Sequence, residues 1–434
     1  MLKGKTLEVL YHPALISFVI WIALSLFLPF NFSKYRIRIL SEDIIAPGLY
    51  LYFSDLDNDG TSEQISVDIH DTEQIKIIVR KNERVLDQYN LPFSLVNRNS
   101  VVFKDCNNDG FEEIFVFTIS NNSIYLNLID PIATRSLLTY NRLIDTWSKP
   151  ARSADRPIFS SVHTPREIKT NSTDIAFFIS TGFSLQPRNV YKYDYKTDLL
   201  IKSPESYATI FNCMGLRSSE IPSDEYYLIS TQATGNILDT VPYSDVFSWF
   251  MVLDNELNFK FKPVQVGEYP SLIQAIPVAI RGAVYYLVLF DYYGPEAVHP
   301  SFYIFDNQGN KIREQVAHNI EPEFSSIFAN AEDGYESFYM LKDRESKVDI
   351  MDTSLNIVRS LVLPEISTAR PLACLDADMD GEKEYFFLGR DRNTLVTCRN
   401  NFRHATDNQF KQDLTNIYFS PVYQKGSKPM LYFQ

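Results

Sequence analysis

Three stretches of the chain place oxygen-bearing side chains at positions 1, 3, 5 and 9 of a short loop, with glycine at position 6. They read Asp55-Leu-Asp57-Asn-Asp59-Gly60-Thr61-Ser-Glu63, Asp105-Cys-Asn107-Asn-Asp109-Gly110-Phe111-Glu-Glu113 and Asp376-Ala-Asp378-Met-Asp380-Gly381-Glu382-Lys-Glu384. Alternate side chains of such a loop point inward, the glycine permits a sharp turn, and the carbonyl of residue 7 (Thr61, Phe111 or Glu382) fills a gap. This is a cage for a hard cation. Ca²⁺ takes six to eight oxygens at ~2.3–2.6 Å. The expected ligands are therefore Asp55, Asp57, Asp59, Thr61 and Glu63 in the first loop. Asp105, Asn107, Asp109, Phe111 and Glu113 serve the second, and Asp376, Asp378, Asp380, Glu382 and Glu384 the third.

An EF-hand would need Glu at position 12, where this chain has Ser66, Val116 and Phe387. The flanks also alternate as strands do, with Ile65, Val67 and Ile69 set against Gln64, Ser66 and Asp68. The loops resemble those of the FG-GAP and VCBS repeat families, which build calcium-binding β-propellers. The first and third match at every ligand position, and the second carries the neutral oxygen of Asn107. The resemblance implies an all-β ring with bound Ca²⁺.

The elements that would hold the loops recur along the chain. Apolar strand endings followed by polar turns appear at Ile77–Arg80, Leu126–Asp130, Val190–Asp194, Phe250–Asp254, Phe302–Asp306, Asp349–Asp352 and Leu395–Arg399, a period of roughly 53 residues. Each acidic loop begins 23 to 25 residues before its hairpin, at 55 to 80, 105 to 130 and 376 to 399. That offset puts the loop between the first and second strands of a four-stranded blade. Seven blades follow, near 48–90, 99–142, 158–203, 207–266, 269–318, 324–363 and 369–411. Ile417–Pro421 repeats the pattern of Leu51–Asp55, so a partial eighth blade is expected, with the propeller cut short within 48–434. A four-stranded blade cannot bury both faces alone, which favours a closed circle over separate sandwiches.

Composition limits the functions. The chain has 54 acidic and 41 basic residues, a net charge of −13, and nucleic-acid binding needs the opposite sign. Four dispersed cysteines (Cys106, Cys213, Cys374, Cys398) read as free thiols, mostly buried. From Ala14 to Phe30 the residues are apolar except Ser17 and Ser25. That run approaches the ~20 residues of a membrane span and is followed by no cleavage site. Residues 1–33 are read as a cytoplasmic start and membrane anchor, 34–47 as a linker or extra strand, and the propeller as periplasmic or outside the cell, where millimolar calcium fills weak sites.

No Ser-His-Asp spacing, GxSxG, phosphate loop or HExxH occurs, so the covered region is expected not to be an enzyme. Binding is the expected role, with Tyr243, Trp249, Tyr292 and Tyr293 as loop aromatics for a sugar or protein surface. The order of anchor, degenerate propeller and mid-blade ending, together with the Pro242–Asp245 region, resembles the sensory half of bacterial membrane histidine kinases. That resemblance implies sensing of an unidentified extracytoplasmic ligand or protein partner. The alternatives are a polysaccharide-binding or adhesion module, and a sugar lyase or glycosidase on the same scaffold.

Overall fold

The computed structural model describes Ser17 and residues 38–70, 74–130, 140–146, 158–162, 173–180, 188–216, 225–235, 240–294, 298–318, 325–330, 333–342, 345–366, 371–377, 381, 383–399, 405–414, 418–427 and 430–434. The chain divides into a unit of 1–42 and a compact unit of 43–434, and the fold described is that of the second. Apart from Ser17, the apolar run of 14–30 lies outside the described residues. Among the described residues no helix is long and apolar enough to cross a membrane.

The second unit is built of antiparallel strands in chain order. In the first sheet Leu49–Ser54, Glu63–Asp68, Ile75–Lys81 and Arg84–Leu91 lie side by side. The same succession recurs in the sheets of 94–146, 158–202, 325–362 and 373–409. Middle strands such as Glu113–Ser120, Tyr226–Ala233 and Glu384–Leu388 are nearly continuous runs of buried residues. The last strands, such as Lys311–Val316 and Ile357–Val362, are almost wholly exposed. A sheet covered on both faces needs apolar residues at consecutive positions, whereas an outer edge does not.

Each core is shared by neighbouring sheets. Ile65, Ile77 and Val79 of the first sheet pack with Ile114, Val116 and Ile129 of the second. Phe115, Phe117 and Leu126 of the second pack with Phe159, Phe177 and Tyr191 of the third. The succession continues through Val190 with Ile229, Ile276 with Ile327, and Tyr339 with Phe387. A final hairpin, Phe419–Val422 with Met430–Phe433, meets both ends. Phe386 of the last sheet lies 6.0 Å from both Phe419 and Phe433. On the other side Tyr52 lies 5.1 Å from Tyr418, and Ser420 Oγ donates to the Phe53 carbonyl at 2.9 Å. The arrangement is a β-propeller.

One boundary differs from the seven separate units expected. Residues 209–316 form a single eight-stranded sheet, because Gln232 and Ala233 pair with Leu272 and Ser271. Long strands cause this: Ser271–Ile280 and Ala283–Tyr292 each span ten residues and reach past the usual blade edge.

The third-to-fourth-strand hairpins share a device. Asp254, Asp306 and Asp352 each accept backbone N–H bonds from the residues two and four positions on, at 2.8–3.0 Å. An aspartate that ties its own turn this way mimics a backbone bond. The middle of each turn is left-handed, at Leu257, Gly309 and Leu355. Cys106, Cys213 and Cys398 are buried thiols, and Cys374 is exposed.

Candidate metal centre

The first two acidic loops fold alike. In each, the carboxylate of residue 1 turns back on the loop: Gly60 N–H donates to Asp55 Oδ2 at 2.9 Å and Gly110 N–H to Asp105 Oδ2 at 3.0 Å. Residue 5 binds the N–H of residue 7, Asp59 to Thr61 and Asp109 to Phe111, both at 2.9 Å. Gly60, Gly110 and Gly381 have φ of 89°, 93° and 90°, where a β-carbon is strained. Asn58 and Asn108 hold the left-handed fourth position, with φ of 53° and 61°, which Asn tolerates through local hydrogen bonding.

The ninth-position glutamate is the first residue of each second strand, and its side chain is buried. Glu63 accepts the Leu56 N–H, Glu113 the Cys106 N–H and Glu384 the Ala377 N–H, each at 2.8 Å. The structure brings Asp55, Asp57 and Glu63 together, and likewise Asp105, Asp109 and Glu113. In each trio the carboxylate oxygens lie within 4.8 Å of one another. Asp378, Asp380 and Glu382 lie outside the described residues, so of the third loop's expected ligands only Asp376 and Glu384 are placed. Asp376 there accepts the Gly381 N–H at 2.8 Å, as Asp55 and Asp105 do in theirs.

The two complete loops differ in charge. In the first, the ammonium of Lys81 stands among three carboxylates, 2.5 Å from Asp57 Oδ2, 2.9 Å from Asp59 Oδ2 and 2.8 Å from Glu63 Oε1. Burial alone would lower its pKa, but hydrogen bonds to Asp57, Glu63 and Asp59 raise it instead. Asp59 is held below the usual carboxylate range, chiefly by its bond to Lys81. Burial raises the Glu63 carboxyl against the pull of Lys81.

In the second loop the amide of Asn107 stands where the first has the carboxylate of Asp57. Asn107 Nδ2 donates to Glu113 Oε1 at 2.6 Å and to Asp109 Oδ2 at 2.9 Å. Burial, assisted by Asp109 and Asp130, pushes the Glu113 carboxyl up to about 7, although the Cys106 N–H opposes it. Glu63 and Glu113 are equally buried, so the neighbouring charges make the difference.

Lys81 and Asp130 are the site residues that motif reading passed over. A signal for them existed in the constant loop-to-hairpin offset, which sets the end of the third strand beside the loop. Gln64 faces Arg80 and Ile114 faces Ile129. One step further along each ladder puts Lys81 opposite Glu63 and Asp130 opposite Glu113. In the last sheet Glu384 faces Arg399, whose Nε is 3.8 Å from Glu384 Oε1.

The four aromatic candidates are half-buried and engaged within the chain. Tyr243 and Trp249 meet edge to face at 5.3 Å, and Trp249 Nε1 donates to the Ser244 carbonyl at 2.8 Å. Tyr293 donates to the Ala233 carbonyl at 2.8 Å and accepts from Gln232 Nε2 at 3.0 Å. Tyr292 packs over Gly294, whose missing β-carbon would fall 2.4 Å from the ring.

No protein-family profile and no curated protein matches the sequence. Solved structures are similar in fold. One is the dihydro-heme d1 dehydrogenase NirN in complex with DHE, with 10% identity over 93% of this chain and 79% of that one and a TM-score of 0.42. Another is the hydrazine synthase of Kuenenia stuttgartiensis, with 9% identity over 83% of this chain and 98% of that one and a TM-score of 0.40. A third is the Dos1 propeller, with 9% identity over 82% and 88% and a TM-score of 0.42. At such identity the likeness concerns the fold alone. It corrects the expectation that the chain is not an enzyme. Two of these similar structures are enzymes by name.

Proposed function

We propose that residues 48–434 form a propeller of seven four-stranded blades, with 209–316 supplying two of them and the last hairpin a partial eighth. Ca²⁺ bound in the acidic loops stabilises the ring outside the cytoplasm. Residues 1–33 anchor it to a membrane, and the propeller binds a ligand or protein partner as the sensory part of a signalling receptor. Tyr243, Trp249, Tyr292 and Tyr293 are the contact residues of this reading.

The observation that carries the proposal is the second loop. Three carboxylates converge there within 4.8 Å, and the deepest, Glu113, is driven toward its neutral form. Carboxylates so placed repel one another until a cation arrives. The test is calorimetric melting of the full chain in chelator and in 10 mM Ca²⁺. At a hundred times a Kd of about 10⁻⁴ M, binding stabilises by about 2.7 kcal/mol. For a chain of this length that is a rise of about 3 °C. The Asp105→Ala variant should lose part of the rise, and an unchanged melting temperature in the parent would overturn the calcium reading.

A further inference from the structure

We propose that His299 and His318 form a binding site for a first-row divalent transition ion such as Zn²⁺, which clips the open end of the hairpin that carries them. The site is separate from the acidic loops and does not depend on how they are read. Oxygen ligands suit a hard cation, whereas imidazole suits Zn²⁺, Ni²⁺ and Cu²⁺.

Register brings the two rings together. Ser301–Phe305 and Lys311–Val316 are antiparallel partners, with Ser301 opposite Val316. The ladder runs one step past the strands, since Ala317 N–H donates to the Pro300 carbonyl at 2.9 Å. The next step sets His299 opposite His318 in a non-hydrogen-bonded pair, the kind in which side chains approach most closely. Their ring centroids are 5.5 Å apart, with the planes at 72°. A tetrahedral ion ~2.0–2.1 Å from one nitrogen of each ring would sit about 3.2 Å from each centroid and set the centroids about 5.2 Å apart. Little movement of either ring is therefore needed. His318 is exposed and His299 half-buried, so an ion reaches the pair from solvent, and water completes its coordination.

The position gives the clip its effect. Lys311–Val316 is an outer strand exposed along its whole length, so little burial holds it. Asp306 ties the turn at one end of this hairpin, and the histidines lie at the other. Segments with few buried contacts open locally with little free energy. An ion held by both strands binds the paired form in preference to the frayed one and so stabilises the edge.

The test titrates ZnCl₂ into the full chain by calorimetry, with CaCl₂ in excess to occupy oxygen sites. His299→Ala and His318→Ala should each lose one binding equivalent present in the parent, or hold it at least about 10-fold more weakly, the penalty that loss of even a supporting partner brings. His70→Ala should keep that equivalent, because the His70 ring pairs with Asp68 instead. With Zn²⁺ at about ten times the measured Kd, the parent should melt about 2 °C higher than without the ion, and neither variant at 299 or 318 should show the rise. Since His318 is exposed, His318→Ala should melt with the parent when no ion is present. Equal Zn²⁺ binding by the parent and both variants would overturn the proposal, and so would a parent that binds none. Loss in one variant alone would leave a single imidazole ligand and overturn the pair. None of these outcomes bears on Ca²⁺ in the acidic loops, which is read from melting in Ca²⁺ without Zn²⁺.

Discussion

The joint between the third sheet and the sheet of 209–316 holds a fully buried ion pair whose removal has a calculable cost. Arg188 and Asp245 are both sealed from solvent, with Nη1 2.9 Å from Oδ2. The Thr234 hydroxyl also donates to Asp245 Oδ2 at 2.7 Å, and Arg188 Nη1 donates to the Tyr207 carbonyl. Asp245→Asn keeps an oxygen that can accept from both donors but removes the negative charge, leaving a guanidinium without its counter-ion. Breaking a buried pair from one side costs about 3–5 kcal/mol. Unfolding entropy of about 2.1 cal/mol/K per residue gives roughly 0.8 kcal/mol/K over Asp43–Gln434, so the melting temperature should fall by about 4–6 °C. The double variant Arg188→Met/Asp245→Leu should recover most of this, because well-packed apolar replacements of a buried pair are often neutral. Differential scanning calorimetry of the parent, the single and the double variant decides it. A single variant within 1 °C of the parent, or a double variant no better than the single, would refute the reasoning.

Three further outcomes are expected. In chelator, stability should fall by up to about 3 kcal/mol as pH rises from about 4.5 to about 7, since the fold favours neutral Glu113, whose folded pKa of about 7 lies above the unfolded value; Glu113→Gln should flatten that part of a urea-midpoint profile. Asn107→Asp exchanges a donor to Glu113 and Asp109 for a like charge. It should lower the chelator melting temperature by about 1–2 °C, at about 1–2 kcal/mol, while tightening Ca²⁺ binding measured by titration. Gly309→Ala should destabilise by about 1–3 kcal/mol in urea titration, because its φ is 81° and the new β-carbon would meet the Phe261 ring at 2.4 Å.

Much of the architecture was legible because it is periodic. The expected unit 158–203 meets strands running from Ile158 to Lys202, and 324–363 meets Ser325 to Val362. Local rules sufficed there: apolar runs set the strands, and Asp254 or Asp306 set the turns. What escaped is long-range and aperiodic. Nothing near Gln232 or Leu272 announces that they pair. Arg188 and Asp245, 57 residues apart, look like ordinary surface charges in the sequence. The acidic loops were visible as motifs, but a motif counts residues along one strand. Lys81 and Asp130 act across a ladder, and register is what brings them to the loop.

The final hairpin sets a kinetic consequence for the whole ring. Every other joint links sheets adjacent in the chain and can form as soon as the next sheet exists. The bond from Ser420 to Phe53 spans 367 residues. Loop-closure entropy makes such contacts slow to form, and transiently open sheet edges invite association between chains. The seam is thus the last joint to close and the first through which the ring opens. The first acidic loop borders it, since Ser62 N–H donates to the Tyr423 carbonyl at 2.9 Å. A loop that carries its own ammonium at that place has its acidic charge offset before the ring latches shut.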